Sequence, residues 1–240
     1  MTLYEVARRG IEPLLPPLYT QVRKHIRQEV LKRPTDVSIL DVGGRKSPYT
    51  IGIPAKITIL DLPRESDTQT SLNLGINKQI ADQLKSNRSN IEDLVIGDMT
   101  RSGLPDESFD LITAVEVLEH VEEDELFVSE VSRVLKPGGT FIMTTPNGDF
   151  AKIPSKDHKR HYELQQLADL LAKYFDNVEV EYAIAGGQYR SMGLKSWSFR
   201  HPVKTVSSAF GNIVNSIQSS RPEIKCTANA ARHLFAVAHK

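Results

Sequence analysis

Apolar positions in this chain follow two rhythms, and the two alternate. Short runs rich in β-formers recur at residues 38–42 (SILDV), 56–60 (KITIL), 93–96, 109–115 (FDLITAV), 140–145 (TFIMTT), 178–185 and 233–239 (HLFAVAH). Runs of this kind suit strands, several of them buried on both faces. Between them lie stretches with apolar residues at mainly helical spacing. These are residues 76–84, residues 123–135 with Leu126, Val131, Val134 and Leu135, and residues 162–174 with Leu164, Leu167, Leu170 and Leu171. The acids that open residues 123–135 suit the positive end of a helix. Pro137, Gly138 and Gly139 are expected to stop that helix. Strand, helix and strand without a hairpin imply a parallel crossover. Repeated along the chain, the pattern predicts a three-layer α/β sandwich. Sheets of this kind bind ligands at the carboxyl ends of their strands, where Glu116, Glu119 and His120 fall.

The ends of the alternation differ from its middle. Residues 1–36 read as a helical cap, with Val22, Ile26 and Val30 at four-residue spacing behind the helix-resistant Leu15-Pro16-Pro17. The main domain then spans residues 37–240. Within it, residues 186–232 are too long for a simple connection, hold one amphipathic helix (203–217), and are expected to be an insertion. By position the insertion covers the substrate end of the sheet or makes an oligomer contact.

Thirty basic side chains balance thirty acidic ones, so no electrostatic argument favours nucleic acid as a partner. The single Cys226 excludes an intramolecular disulfide and fits a reducing compartment. No apolar run approaches the ~18 residues of a membrane span. Glu5, Arg8 and Arg9 interrupt any signal-peptide core, and a cytoplasmic location is expected.

The chemistry concentrates at strand ends. Asp41-Val42-Gly43-Gly44 closes the first strand, and glycines there let the backbone approach a ligand. Asp61, followed by Leu62, ends the second strand, where an acid can accept from both ribose hydroxyls. Asp98 and Met99 follow the third, where a carboxylate can accept from an adenine amine. A nicotinamide reductase is disfavoured, because G-x-G-x-x-G and a Tyr-x-x-x-Lys pair are both absent.

In this order the strand ends resemble the class I S-adenosylmethionine-dependent methyltransferases. Asp41-Val42-Gly43-Gly44 resembles the first motif, Asp61 the second, Gly97-Asp98-Met99 the third and FDLITAVEVLEHV the fourth. RVLKPGG and FIMTTPN resemble the turn and strand that follow. The likeness covers roughly residues 38–185 plus the final strand, and is greatest to the small-molecule branch with quinone and sugar O-methyltransferases. It implies a Rossmann-like, mostly parallel seven-stranded sheet with an antiparallel last strand, S-adenosylmethionine as cofactor, and a small-molecule acceptor. The cofactor site it implies comprises Asp41, Gly43, Gly44, Arg45, Asp61, Leu62, Asp98, Met99, Val115 and Glu116. Arg45 and Ser47 depart from the family, standing where its second and third glycines belong. Arg45 is in position to reach the cofactor's carboxylate. The alternative is a non-catalytic scaffold or partner-binding protein with an altered glycine loop.

Methyl transfer to a high-pKa oxygen needs a base. The candidates are His120, His158 and His161. Lys159 and Arg160 beside them are expected to attract an anionic group. Gln188, Tyr189, Arg190 and Trp197 in the insertion are candidates for specificity. Glu116 and Glu119, with Asp149 and Asp157, lack a spacing that marks metal ligands, and no metal is expected.

Overall fold

The computed structural model describes residues 2–34, 36–64, 75–150, 158–194 and 200–240. Seven strands form one sheet: β1 (Ser38–Val42), β2 (Lys56–Asp61), β3 (Ile91–Ile96), β4 (Phe109–Val115), β5 (Leu135–Pro146), β6 (Asn177–Ala185) and β7 (Ala231–His239). Their spatial order is β3-β2-β1-β4-β5-β7-β6. The β1–β2, β1–β4, β2–β3 and β4–β5 pairs are parallel, and β7 runs antiparallel to both β5 and β6. Eight helices are described: α1 (Leu3–Ile11), α2 (Pro17–Leu31), α3 (Lys78–Asn87), α4 (Asp124–Val134), α5 (Leu164–Leu171), α6 (Gln188–Gly193), α7 (Pro202–Ser219) and α8 (Pro222–Cys226).

Alternation along the strands makes the three layers. Successive side chains on a strand face opposite ways. Ile39 and Leu111 pack with Val22, Ile26 and Val30 of α2 and with Ile80 and Leu84 of α3. Their neighbours Leu40 and Ile112 pack with Phe127, Val131 and Val134 of α4 and Leu167 and Leu171 of α5. Both faces are covered, so the strands read as continuous apolar runs.

The amino-terminal segment is two helices. α1 begins with a capping box, Thr2 accepting from the Glu5 amide and Glu5 accepting from the Thr2 amide. Pro17 opens α2, where its fixed φ and missing N–H are tolerated. Val22 and Ile26 are wholly buried, each worth roughly 1.5–3 kcal/mol. Glu29 of α2 pairs with Lys32 and Arg33 at 2.7 Å each and accepts from Thr140 of β5 at 3.0 Å.

One expected boundary moves. Pro137, Gly138 and Gly139 do not stop α4, which ends at Val134; they lie within β5 as an irregularity between the Phe109–Leu135 and Leu111–Thr140 pairings. Gly138 takes φ +73° there, and its amide donates to the Lys240 carbonyl at 2.7 Å.

In the 186–232 segment, α7 crosses α6 with glycine against glycine. A Cβ on Gly211 would stand 2.9 Å from the Gly193 nitrogen. Asn212 donates to the Leu14 carbonyl at 2.9 Å and Asn215 to the Ala185 carbonyl at 2.8 Å, tying α7 to the amino-terminal segment and to β6. Among the described residues, no helix is long and apolar enough to cross a membrane.

Candidate functional site

The carboxyl ends of β1, β2, β3 and β4 surround a cavity of about 680 Å³. Gly43, Arg45, Asp61, Leu62, Asp98, Met99, Val115, Glu116 and His120 line it, as the sequence leads one to expect. Lys46, Gly97, Thr100, Val117 and Phe127 line it too. Gly97 and Val117 fall inside the motifs already named but were not singled out as contacts; Lys46, Thr100 and Phe127 were missed, because a strand-end motif leaves the wall that folds beside it unmarked. A shallower hollow of about 340 Å³ lies at the other end of the sheet, by Lys56 and Ile91 where β2 and β3 begin.

Asp41 and Gly44 are not on the cavity wall. Asp41 is fully buried beneath the turn, where four hydroxyls donate to it: Ser47, Tyr49 at 3.1 Å, Thr50 at 2.9 Å and Thr113 at 2.9 Å. Arg88 donates to Thr50 at 2.9 Å behind them. Burial pushes the Asp41 carboxyl above its ordinary range, against the pull of Ser47, Arg88, Thr50 and Thr113. A Cβ on Gly44 would stand 2.3 Å from the Asp41 carboxyl carbon, so only glycine fits. Gly43 takes φ +68°. The turn Gly44–Lys46 is thereby held down, with Arg45 and Lys46 facing the cavity. Ser47, in a glycine's place, is one of the clamps.

Asp61 at the end of β2 is raised in pKa by burial, while the Leu62 amide at 2.9 Å and Arg45 favour its charge. Asp98 accepts from both the amide and hydroxyl of Thr100 at 2.9 Å, which fixes its carboxylate at the start of a short 3-10 turn. Glu116 sits just past β4 at φ +56°, in the left-handed region a non-glycine residue rarely occupies. Thr144 donates to one of its oxygens at 3.0 Å, and His233 Nε2 lies 3.3 Å from the other. Burial raises the Glu116 pKa, but His233, Thr144 and Arg190 outweigh it and hold the carboxyl below the ordinary range. Glu119 goes the other way: burial and the Glu116 charge push it well above.

Of the expected bases, only His120 lines the cavity. His158 stacks edge-on against it with ring centroids 4.8 Å apart, and His158 Nδ1 lies 2.7 Å from His161 Nε2. Glu119, His120 and His158 bring donor atoms within 4.8 Å of one another. Asp149 is committed elsewhere, accepting from the Leu164 amide at 3.0 Å and Tyr182 at 2.9 Å. Of Lys159 and Arg160, expected to draw in an anion, Lys159 lines the cavity and is ion-paired there with Glu122, whereas Arg160 is ion-paired with Asp124. Asp157 and Trp197 lie outside the described residues. His233 was missed because it begins the last strand, more than 100 residues from Glu116 in sequence, and only the pairing of β7 with β5 brings them together.

Residues 52–143 match the family model of the methyltransferase domain. The match begins after the Gly43–Ser47 turn, where this chain departs from the glycine pattern. A probable S-adenosylmethionine-dependent methyltransferase of Mycolicibacterium smegmatis is 34% identical over 115 residues, 45% of this chain and 43% of that one. A ubiquinone biosynthesis O-methyltransferase of Xanthomonas oryzae pv. oryzae is 31% identical over 45% of this chain and 43% of its own. A sterol 24-C-methyltransferase of Neurospora crassa is 33% identical over 51% and 32%. The chain thus spans less than half the length of these curated relatives. Among solved structures, a SAM-dependent methyltransferase from Archaeoglobus fulgidus superposes with TM-score 0.58 at 16% identity, over 92% of this chain and 94% of that one.

Proposed function

We propose that this chain, a class I S-adenosylmethionine-dependent methyltransferase by its matched domain and its fold, binds S-adenosylmethionine in the 680 Å³ cavity and methylates a small-molecule acceptor, at oxygen. The observation that carries the reading is the pair of acids, Asp61 after β2 and Asp98 after β3, flanking one cavity whose edge is the clamped Gly43–Lys46 backbone. Asp61 suits the ribose hydroxyls, Asp98 the adenine amine, and Arg45 the carboxylate of the cofactor. The bound cofactor supplies an electrophilic methyl on a sulfonium sulfur. The chain's part is to hold the two reactants in line, exclude water and accept a proton. Oxygen is taken as the acceptor from the resemblance of the motifs to the quinone O-methyltransferase branch, with the ubiquinone O-methyltransferase match in support; the match to a sterol C-methyltransferase makes carbon the second outcome of an acceptor screen.

The scaffold alternative rests on a decayed loop, and the Ser47 hydrogen bond to Asp41 is the mark of a built one. Calorimetric titration of the full chain with S-adenosylmethionine separates the two. Micromolar binding is expected, weakened at least tenfold in Asp61→Ala, about 1.4 kcal/mol. A folded protein that binds no S-adenosylmethionine would sink the enzyme reading and leave the scaffold.

A further inference from the structure

A second cavity, of about 170 Å³, lies on the other side of Glu116. Glu116 is the one residue lining both cavities. The second is closed by Pro16, Pro17 and Tyr19 at the start of α2, by Ile184 at the end of β6, and by Arg190, Asn212 and Asn215 of the insertion, with His233 at its base. Two of the residues that line it carry a buried polar atom without a hydrogen-bond partner among the described residues, His233 Nδ1 and Asn215 Oδ1. His233 is 7% exposed. Buried polar atoms are nearly always paired, so two orphans on one small cavity point to a ligand that completes them. The Arg190 guanidinium lines it as well, and its charge favours the ionised form of Glu116. Two non-glycine residues with positive φ, Glu116 at +56° and Ile184 at +62°, meet here. Such strain gathers at functional sites, and a β-branched residue is seldom found there otherwise.

We propose that this cavity is the acceptor site, that His233 is the base, and that Arg190 selects a compact hydroxylated anion. The inference rests on the methyltransferase reading above and assigns its second substrate. His233 Nε2, 3.3 Å from the Glu116 carboxylate, carries the ring proton, which leaves the buried, unpartnered Nδ1 with the lone pair that can take a proton. Glu116 is in turn fixed by Thr144. A base oriented by a carboxylate is the arrangement that activates a hydroxyl. In the step, the acceptor oxygen forms a bond to the methyl carbon as the carbon–sulfur bond breaks and its electron pair leaves on sulfur. The hydroxyl proton passes to His233 Nδ1, and the imidazolium so formed stands beside the Glu116 carboxylate. Arg190, on α6, is the cation that faces this cavity and holds the acceptor's anionic group. Pro16, Pro17, Leu18 and Ile184 enclose its apolar body.

The test uses the full chain with methyl-labelled S-adenosylmethionine and a panel of 2-, 3- and 4-hydroxybenzoate and mandelate, with phenol and benzyl alcohol as neutral counterparts. Transfer to at least one hydroxy acid is expected, with kcat/KM at least tenfold above its neutral counterpart. Arg190→Gln should raise KM tenfold or more and leave kcat within threefold. His233→Asn should lower kcat by 100-fold or more, leave KM within threefold, and abolish the rise of rate with pH. Glu116→Gln, which keeps a group for Thr144, should lower kcat, because the imidazolium formed in the step loses its counter-charge. Calorimetry of the accepted acid into protein saturated with S-adenosylhomocysteine gives a readout apart from turnover: binding kept in His233→Asn and lost in Arg190→Gln. Equal use of neutral phenols, an unaltered pH profile in His233→Asn, or no transfer to any panel member by protein that binds S-adenosylmethionine would overturn this inference and leave the cofactor reading standing. Failure to bind S-adenosylmethionine would instead remove the reading beneath it.

Discussion

At the scale of single residues, Ser47 shows why a departure from a motif need not be a loss. A third glycine would leave the turn free to move; the serine hydroxyl instead donates to Asp41 and lies 3.0 Å from Thr50. It adds to the clamp beneath the turn while Arg45 and Lys46 remain on the cavity side. Removing one donor from a buried carboxylate costs about 1–3 kcal/mol. Ser47→Ala should therefore lower the denaturation midpoint by that measure and weaken S-adenosylmethionine severalfold. An unchanged midpoint and affinity would mean that Tyr49, Thr50 and Thr113 suffice to hold the turn. The same scale explains Gly44, whose missing side chain leaves the space that the Asp41 carboxylate fills.

Among the elements, α2 is joined to the sheet by more than its apolar stripe. Burial works against the charge on Glu29, but Lys32, Arg33 and Thr140 outweigh it and push its pKa down from 4.5 to about 2. With the folded pKa below the unfolded one, the unfolded chain binds more protons in that interval. The stabilisation is complete above about 4.5 and is lost as pH falls through about 2. Glu29→Gln should be less stable than the parent at pH 7 by on the order of 1–3 kcal/mol, with the gap closing toward pH 2 in urea titrations. A gap that persists at low pH would assign the loss to packing.

For the whole molecule, the insertion serves two surfaces. Its inner side closes the second cavity with Asn212 and Asn215. Its outer side leaves Val203, Val206, Phe210, Ile213 and Ile217 exposed along α7. These five repeat at intervals of three and four with no charged residue among them, the seam that packs helix against helix. If this face makes the oligomer contact that is one of the two sequence readings of the insertion, light scattering gives a dimer and Phe210→Glu a monomer that still binds S-adenosylmethionine. A parent monomeric at all concentrations would rule that contact out.

The sequence by itself determined the layers and most of the first cavity. Strand periodicity, the acids at strand ends and the glycines of the first turn are local features, written in residues close together along the chain. Asp61, Asp98 and Glu116 were legible for that reason, as was the antiparallel last strand once the motif order was recognised. Asp41 was legible as part of a motif, but its place under the turn was not. Four hydroxyls drawn from the loop after β1 and from β4 decide that, and no spacing announces them. Tertiary structure alone decided that Glu116 meets His233, that Lys159 and Arg160 are ion-paired with Glu122 and Asp124, and that Pro16, Pro17, Tyr19, Ile184, Asn212 and Asn215 enclose one small cavity. Those contacts join residues far apart in the chain through the order of strands β4, β5 and β7 and the crossing of α6 and α7, and such order arises from packing rather than from any local pattern of side chains.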